Sequence, residues 1–287
     1  MKKNGHPEFI GSDFKAPDEA LFQIIPVPFE KSVCYGKGTA GGPEAIINAS
    51  LQLELFDGKT IPAEYGINTL PPLDCDVSPE KTLENISSAF RDIIGMGKIP
   101  VMLGGEHTVT CGAIAALKEK YHEIGIVHFD AHADLKDKYY DNPMSHACVM
   151  RRVFDMGAQI FQVGVRSLTL EEENFRKENR IAHIDAEEAA LKPLPYRILS
   201  ECFPKDIYIS FDVDALDPSL VPATGTPEPG GLLWYQTMNI LESIVKNRNV
   251  IGMDFVELAP IKGMHSPDFA IARLIYNTFG IITRSMY

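Results

Sequence analysis

No apolar run in this 287-residue sequence approaches the roughly 18 residues that a membrane span needs. The opening MKKNGHPEFIGSDFKAPDEA carries two lysines but no apolar stretch behind them, so a secretory leader is not expected and a cytoplasmic location is. Cysteine is sparse. The five residues Cys34, Cys75, Cys111, Cys148 and Cys202 are odd in number, scattered, and show no CxxC spacing, which argues against zinc knuckles and redox pairs and leaves buried free thiols. Positive charge is also short: 27 Lys and Arg stand against 39 Asp and Glu, a net charge of -12. Sequence-independent binding to nucleic acid depends on clustered Lys and Arg against phosphates, so that function class is not expected. An acidic surface tilts instead toward a cationic partner. Glycine clusters at Gly36, Gly38, Gly41 and Gly42, but the terminal Lys-Ser/Thr of a phosphate loop is missing, and a tight loop leading into a helix is the expected role.

What is present supports a sizeable core, since 45% of residues are hydrophobic. Short β-branched or aromatic runs alternate with stretches of helical period, which predicts repeated βα units, a mainly parallel sheet and an α/β fold. The expected strands are Leu21 to Val27, Ile99 to Leu103, Ile124 to Phe129, Ile160 to Val165, Ile207 to Phe211 and Val250 to Phe255. Leu83, Ile86, Phe90, Ile93 and Ile94 recur on one helix face, with Pro79 placed for the first turn. Further helices are expected at Gly42 to Phe56, Val109 to Tyr121, His146 to Met156, Leu233 to Lys246 and Asp268 to Thr283. No repeat, low-complexity tract or linker divides the chain, so one domain over residues 1–287 is expected.

Three of these strands run into residues that ligate metals, all at the same end: Gly104-Gly-Glu-His107, Asp130-Ala-His132-Ala-Asp134 and Asp212-Val-Asp214. Ligands of open α/β sheets bind in the crevice beyond the carboxyl ends of the strands, where these segments converge. Side chains at i and i+2 of a strand point the same way, so Asp130 with His132, and Asp212 with Asp214, each present two groups to one place. Each Asp alone reads equally well as a cap or turn residue. Gathered together, Asp130, Asp134, Asp212 and Asp214 repel one another and lose hydration unless cations neutralise them. Two divalent ions balance four carboxylates, with neutral His107 and His132 as nitrogen ligands. His128 lies inside an apolar strand and is expected to be a hydrogen-bonded structural histidine. His6, His122, His183 and His265 belong to no such pattern.

These segments resemble the ureohydrolase family of arginases and agmatinases, whose motifs run Gly-Gly-x-His, Asp-Ala-His-x-Asp and Ser-Phe-Asp-x-Asp-x-x-Asp-Pro. The resemblance extends to Pro222-Ala-Thr-Gly-Thr-Pro227, Gly230-Gly-Leu232 and Met253-Asp-Phe-Val-Glu257-Leu-Ala-Pro260. It implies a three-layer α/β/α fold of the arginase/deacetylase-like type with a mostly parallel eight-stranded sheet. Also implied are hydrolysis of a small cationic guanidino substrate, two Mn²⁺ as cofactor, and trimeric or hexameric assembly. Carried across, His107, Asp130, Asp134 and Asp212 hold one metal, Asp130, His132, Asp212 and Asp214 the other, with Asp130 and Asp212 bridging. Oxygen-rich ligation with two imidazoles suits Mn²⁺ but also admits Co²⁺, Zn²⁺ or Ni²⁺.

The resemblance assigns further catalytic roles. Asp134 also accepts a hydrogen bond from the attacking water, Glu257 pairs with the substrate guanidinium, and His146 shuttles a proton to the leaving amine. Imidazole titrates near neutrality as a class, which suits that duty. Outside this context Glu257 reads as a buried structural acid and His146 as a capping or surface residue. One departure bears on substrate. Arginases carry Asn-Thr-Pro and Ser-Gly-Asn patterns that read an amino-acid carboxylate, and the stretch Leu135-Lys-Asp-Lys-Tyr-Tyr-Asp-Asn-Pro-Met144 has neither. Asp137, Tyr139, Tyr140 and Asp141 are candidates to receive an amine tail, with Lys136 and Lys138 opposing that role. Agmatine is therefore the leading expected substrate. Aminopropylagmatine, guanidinobutyrate and formiminoglutamate are the alternatives within the family, and a silent metal-binding relative is the alternative outside catalysis.

Overall fold

Among the residues that the computed structural model describes, which are 2–3, 6–11, 14–195 and 197–286, eight strands form one sheet in which every pairing is parallel. A short antiparallel pair, β1 (Lys2–Lys3) and β2 (His6–Pro7), stands apart from it. In chain order the sheet strands are β3 (Phe22–Val27), β4 (Ile67–Thr69), β5 (Ile99–Gly104), β6 (Gly125–Phe129), β7 (Gln159–Val163), β8 (Ala182–Ile184), β9 (Asp206–Asp212) and β10 (Asn249–Val256). Their spatial order is β4-β3-β5-β10-β9-β6-β7-β8, so the last strand of the chain lies in the middle, between β5 and β9.

The helices are α1 (Gly42–Ser50), α2 (Pro79–Gly95), α3 (Thr110–Lys120), α4 (Val149–Asp155), α5 (Leu170–Glu178), α6 (Ala186–Leu191), α7 (Trp234–Val245) and α8 (Ser266–Ser285). Strand alternation sorts them into two layers. Phe22, Ile24, Val101, Leu103, Val127, Phe129, Ile209 and Phe211 pack with Ile46 of α1, Ile240 of α7 and Ile275 of α8. The opposite face, with Ile25, Met102, Ile126 and Tyr208, packs against Ile86 and Phe90 of α2, Ala113 of α3 and Val153 of α4. This is the expected three-layer α/β/α arrangement. Each large apolar side chain so buried contributes roughly 1.5–3 kcal/mol. Phe22 of β3 stacks on Phe279 of α8 with ring centroids 4.0 Å apart, tying the outer layer to the sheet.

Local sequence explains several boundaries. Ser78 caps α2 by accepting the Lys81 N–H at 3.2 Å, and Pro79 occupies the first turn. α1 stops at Ser50 rather than Phe56, because the Ser50 hydroxyl turns back to the Ile47 carbonyl and accepts the Ile10 N–H, after which Leu53 is buried from a loop. The helix expected from His146 opens as a single 3-10 turn and becomes α-helical at Val149. Strands β4 and β8 and helices α5 and α6 are additional to the expected elements. Among the described residues no helix is long and apolar enough to cross a membrane, and all five cysteines are free, three buried and Cys34 and Cys202 exposed.

Candidate metal centre

Four adjacent central strands, β5, β10, β9 and β6, end at one place. β5 delivers Gly105 to His107, β6 delivers Asp130 to Asp134, β9 ends on Asp212 and leads to Asp214, and β10 leads to Glu257. The close approach of the segments that follow β5 and β3 requires Gly105, since a Cβ there would lie 2.0 Å from the Phe29 carbonyl oxygen. Glu257 has φ +66° and Asp134 φ +53°, left-handed conformations that cost a non-glycine residue stability and that cluster at functional sites. Glu257 is held in place reciprocally. Its N–H donates to the Gly105 carbonyl at 2.8 Å, and its Oε1 accepts the His107 N–H at 2.7 Å.

All six expected ligands come together. His107 Nδ1 is buried with no hydrogen-bond partner, yet lies 3.2, 3.3 and 3.4 Å from carboxylate oxygens of Asp130, Asp134 and Asp212. His132 Nδ1 lies 3.4 Å from Asp130 Oδ1 and 3.1 Å from Asp214 Oδ2. Asp130 thus faces both imidazoles, one through each oxygen. An orphaned buried nitrogen surrounded by carboxylate oxygens is the donor set of a cation site, so the residues present fit a divalent metal pair. Candidate ligand atoms of Asp130, His132 and Asp214, and separately of His107, His128, Asp130 and Asp134, lie within 4.8 Å of one another.

The electrostatics point the same way. Burial alone would depress the His107 pKa, but the surrounding carboxylates hold it well above the ordinary value. Burial opposes protonation of His132 too, and Asp130 and Asp214 push it up to about 12. Among the acids, burial and the charges of Asp214 and Asp130 raise Asp212 well above the carboxylate range, while burial and Asp130 raise Asp214. Asp130 moves down instead: burial opposes its ionisation, and the neighbouring His128, hydrogen-bonded to it, together with the close imidazoles of His107 and His132 outweighs burial. Packed this closely, the carboxylates set like charges against one another, a repulsion that a bound cation would offset.

Directly beneath the cluster runs a buried polar row that the sequence did not announce. The sheet register sets Asp254 beside Ser210, Ser210 beside His128, and His128 beside Gln162. Two residues further along the same face, Ser210 and His128 give way to Asp212 and Asp130. Ser210 Oγ lies 2.9 Å from His107 Nε2 and donates to Asp254 Oδ1 at 2.9 Å, while Thr110 and Tyr208 donate to Asp254 Oδ2 at 2.8 and 2.7 Å. His128 has both ring nitrogens engaged, Nε2 with Asp130 at 2.8 Å and Nδ1 with Gln162 at 3.2 Å, as expected of a structural histidine. Arg166 also escaped the sequence reading. Its guanidinium donates to the backbone carbonyls of Asp214 and Glu228 at 2.7 and 2.8 Å, holding the turn after β9.

The ligand candidates form the floor of a cavity of about 130 Å³, with Glu257 and half-buried His146 on its lining. Burial raises the Glu257 pKa to about 8, against the hydrogen bond from the His107 N–H. Above the floor the wall is made by Val33 to Gly36, by Thr224 to Thr226, and by Lys136 and Tyr139. The glycine-rich loop therefore does more than enter α1. Gly36 N–H donates to the Gly225 carbonyl at 3.1 Å, joining two sides of the mouth. Of the residues expected to receive an amine tail, Tyr139 lines the cavity. Asp137, Tyr140 and Asp141 do not: Asp137 pairs with Arg152 at 2.9 Å and Asp141 with Lys138 at 2.6 Å, both at the surface.

Residues 20–280 match the family model described as the arginase family. The N(1)-aminopropylagmatine ureohydrolase of Synechocystis sp. is 33% identical, over 96% of this chain and 94% of that protein. The agmatinase of Pyrococcus horikoshii is likewise 33% identical, over 93% of each chain. Among solved structures, the agmatine ureohydrolase of Thermoplasma volcanium superposes with a TM-score of 0.88 at 27% identity, covering 98% of this chain and 96% of that one.

Proposed function

The chain belongs to the arginase family, and on that premise we propose that it hydrolyses agmatine to putrescine and urea with a pair of manganese ions. The observation that carries this reading is the gathering of Asp130, Asp134 and Asp212 around the unpartnered His107 Nδ1, on the floor of a cavity that also holds Glu257 and His146. In the proposed site His107, Asp130, Asp134 and Asp212 hold one cation and Asp130, His132, Asp212 and Asp214 the other. Bound there, the pair supplies Lewis acidity and makes a water nucleophilic at neutral pH.

The chain's own residues do the rest. Glu257 pairs through its carboxylate with the substrate guanidinium and fixes the orientation of the carbon under attack, a poor electrophile whose charge is spread over three nitrogens. Asp134 accepts a hydrogen bond from the attacking water. As water adds and the bond from carbon to the alkyl-bearing nitrogen breaks, His146 delivers the proton that lets the amine depart, leaving urea and an alkylammonium. Lys136 lines the cavity, but its ammonium is held 3.2 Å from Glu172. A substrate carboxylate would find that cation already paired, which favours agmatine over arginine.

A second reading, hydrolysis of N(1)-aminopropylagmatine, is favoured by the likeness to the Synechocystis N(1)-aminopropylagmatine ureohydrolase. Trimeric or hexameric assembly and a cytoplasmic setting, where free thiols stay reduced, complete the proposal. Kinetics on agmatine, N(1)-aminopropylagmatine and arginine under identical manganese loading test it. Agmatine should exceed arginine in kcat/KM by on the order of 10³. Equal use of arginine would overturn the argument from the cavity wall, and a higher kcat/KM for the aminopropyl compound would move the assignment to the second reading.

A further inference from the structure

Glu106 stands between the second glycine and the histidine of Gly104-Gly-Glu-His107 and is not a ligand candidate. It is 1% exposed, and its carboxylate accepts four hydrogen bonds. Oε2 takes the N–H groups of Lys31 and Ser32 at 2.5 and 2.6 Å, and Oε1 takes the hydroxyls of Ser32 and Thr108 at 2.7 and 2.8 Å. A carboxylate offers about four acceptor sites and no donor, so this one is saturated and the single Ser32 hydroxyl proton is committed to it. The same Ser32 oxygen accepts the His146 N–H at 3.1 Å and lies 3.2 Å from His146 Nδ1. With its proton turned to Glu106, Ser32 can present only a lone pair to that nitrogen.

We propose that Glu106, acting through Ser32, is a positioning residue that holds His146 in the Nδ1–H tautomer, so that protons enter and leave the ring at Nε2. An unprotonated Nδ1 would set two lone pairs against each other across 3.2 Å, whereas a protonated one makes a hydrogen bond of the same contact. The neutral ring then carries its free lone pair on Nε2, takes a proton there, and returns it from the same nitrogen to the departing amine. The Nδ1–H bond stays intact throughout, and the only bond to the ring that forms and breaks is Nε2–H. This inference rests on the shuttle role given to His146 above. Ser145 supplies the competing arrangement: its hydroxyl lies 3.3 Å from Nδ1 and, as a donor, would impose the opposite tautomer.

The tautomer can be read without any substrate, by long-range proton–nitrogen correlation on ¹⁵N-histidine protein loaded with diamagnetic zinc, with His146→Ala assigning the resonance. The wild type should show Nδ1–H. Ser32→Ala should move the tautomer ratio toward Nε2–H by roughly five- to tenfold, the worth of one hydrogen bond, and Ser32→Thr should restore it. Glu106→Gln is the sharper variant. The Lys31 and Ser32 N–H groups pin the amide oxygen, the amide NH₂ then donates to Ser32, and the freed hydroxyl proton turns to Nδ1, reversing the tautomer without removing a side chain. Ser145→Ala should leave Nδ1–H in place. An Nε2–H ring in the wild type, or a ratio unmoved by both Ser32→Ala and Glu106→Gln, would overturn the clamp. Full turnover by His146→Ala would remove the shuttle role instead, and leaves the tautomer result standing.

Discussion

Asp254 of β10 and Ser210 of β9 are register partners, and the serine hydroxyl that touches His107 Nε2 donates to Asp254 Oδ1 at 2.9 Å. The contact fixes which way the imidazole faces, since a histidine that binds metal through one nitrogen is oriented by what holds the other. Ser210→Ala should therefore weaken binding of the metal next to His107 by about 10- to 100-fold. Competition with a chelator measures it directly. An unchanged affinity would show that packing alone orients the ring.

Two divalent metals per chain are expected, because four clustered aspartates demand that much charge. Elemental analysis after incubation with Mn²⁺ and dialysis should return about two in the wild type. Removal of the carboxylate that faces both imidazoles, in Asp130→Ala, should lower that content and abolish activity, whereas His107→Ala should weaken one metal and spare the other. Identical metal content in wild type and Asp130→Ala would contradict the bridging role.

His146 should matter to turnover and not to metal. His146→Ala is expected to retain its metal content while losing something like 10² to 10⁴ in kcat, the usual span for a general acid or base. Added imidazole should restore part of the loss. A variant with undiminished kcat from pH 6 to 9 would end the shuttle assignment.

Outside the cavity lining, Asp57 provides a pH test of stability. Its carboxylate accepts the Lys59 and Thr60 N–H groups at 2.8 and 2.6 Å and pairs with Arg284 of α8. Burial raises its pKa, but those bonds and the Arg284 charge outweigh burial and hold it below the ordinary aspartate range. A group depressed in the folded state adds stability that is complete above its unfolded pKa and is lost as pH falls through the folded one. Asp57→Asn should cost on the order of 2 kcal/mol at neutral pH. In urea titrations of metal-free protein, the gap between wild type and variant should be flat above about pH 5 and close below pH 4. A gap that widens on acidification would contradict the sign.

Much of the site was legible in the sequence, because its ligand-type residues directly follow the β5 and β6 apolar runs or end that of β9, and strand geometry aligns i with i+2. The central strands were found for the same reason: they are buried on both faces and read as continuous apolar runs. Edge strands β4 and β8 span three residues each, too short for any period to show. Helix α5 is largely polar and carries its signal in the capping box of Thr169 and Glu172, a motif that apolar periodicity does not detect. The polar row and the hold of Glu106 on Ser32 were out of reach for another reason. Asp254 meets Ser210, and Glu106 meets Ser32, only once strand register and loop path are known, and neither is written in local spacing. Asp137 and Asp141, candidates to receive an amine tail, lie outside the cavity lining: Arg152 pairs with Asp137 from α4, and Lys138, whose opposition was legible three residues before Asp141, pairs with Asp141.

The place of β10 between β5 and β9 has a consequence for biosynthesis. While the chain is being made, β5 can pair with β3 on one side and β9 with β6 on the other, but the seam between the two halves stays open until residues 249–256 leave the ribosome. Two apolar strand edges then face one another, or a second nascent chain, with nothing yet to fill them, and such edges are where misassembly begins. Glu257 arrives with the strand that closes the seam. A truncated or stalled product therefore lacks both a finished sheet and a finished cavity, and the newborn chain gains its chemistry and its protection from aggregation in the same step.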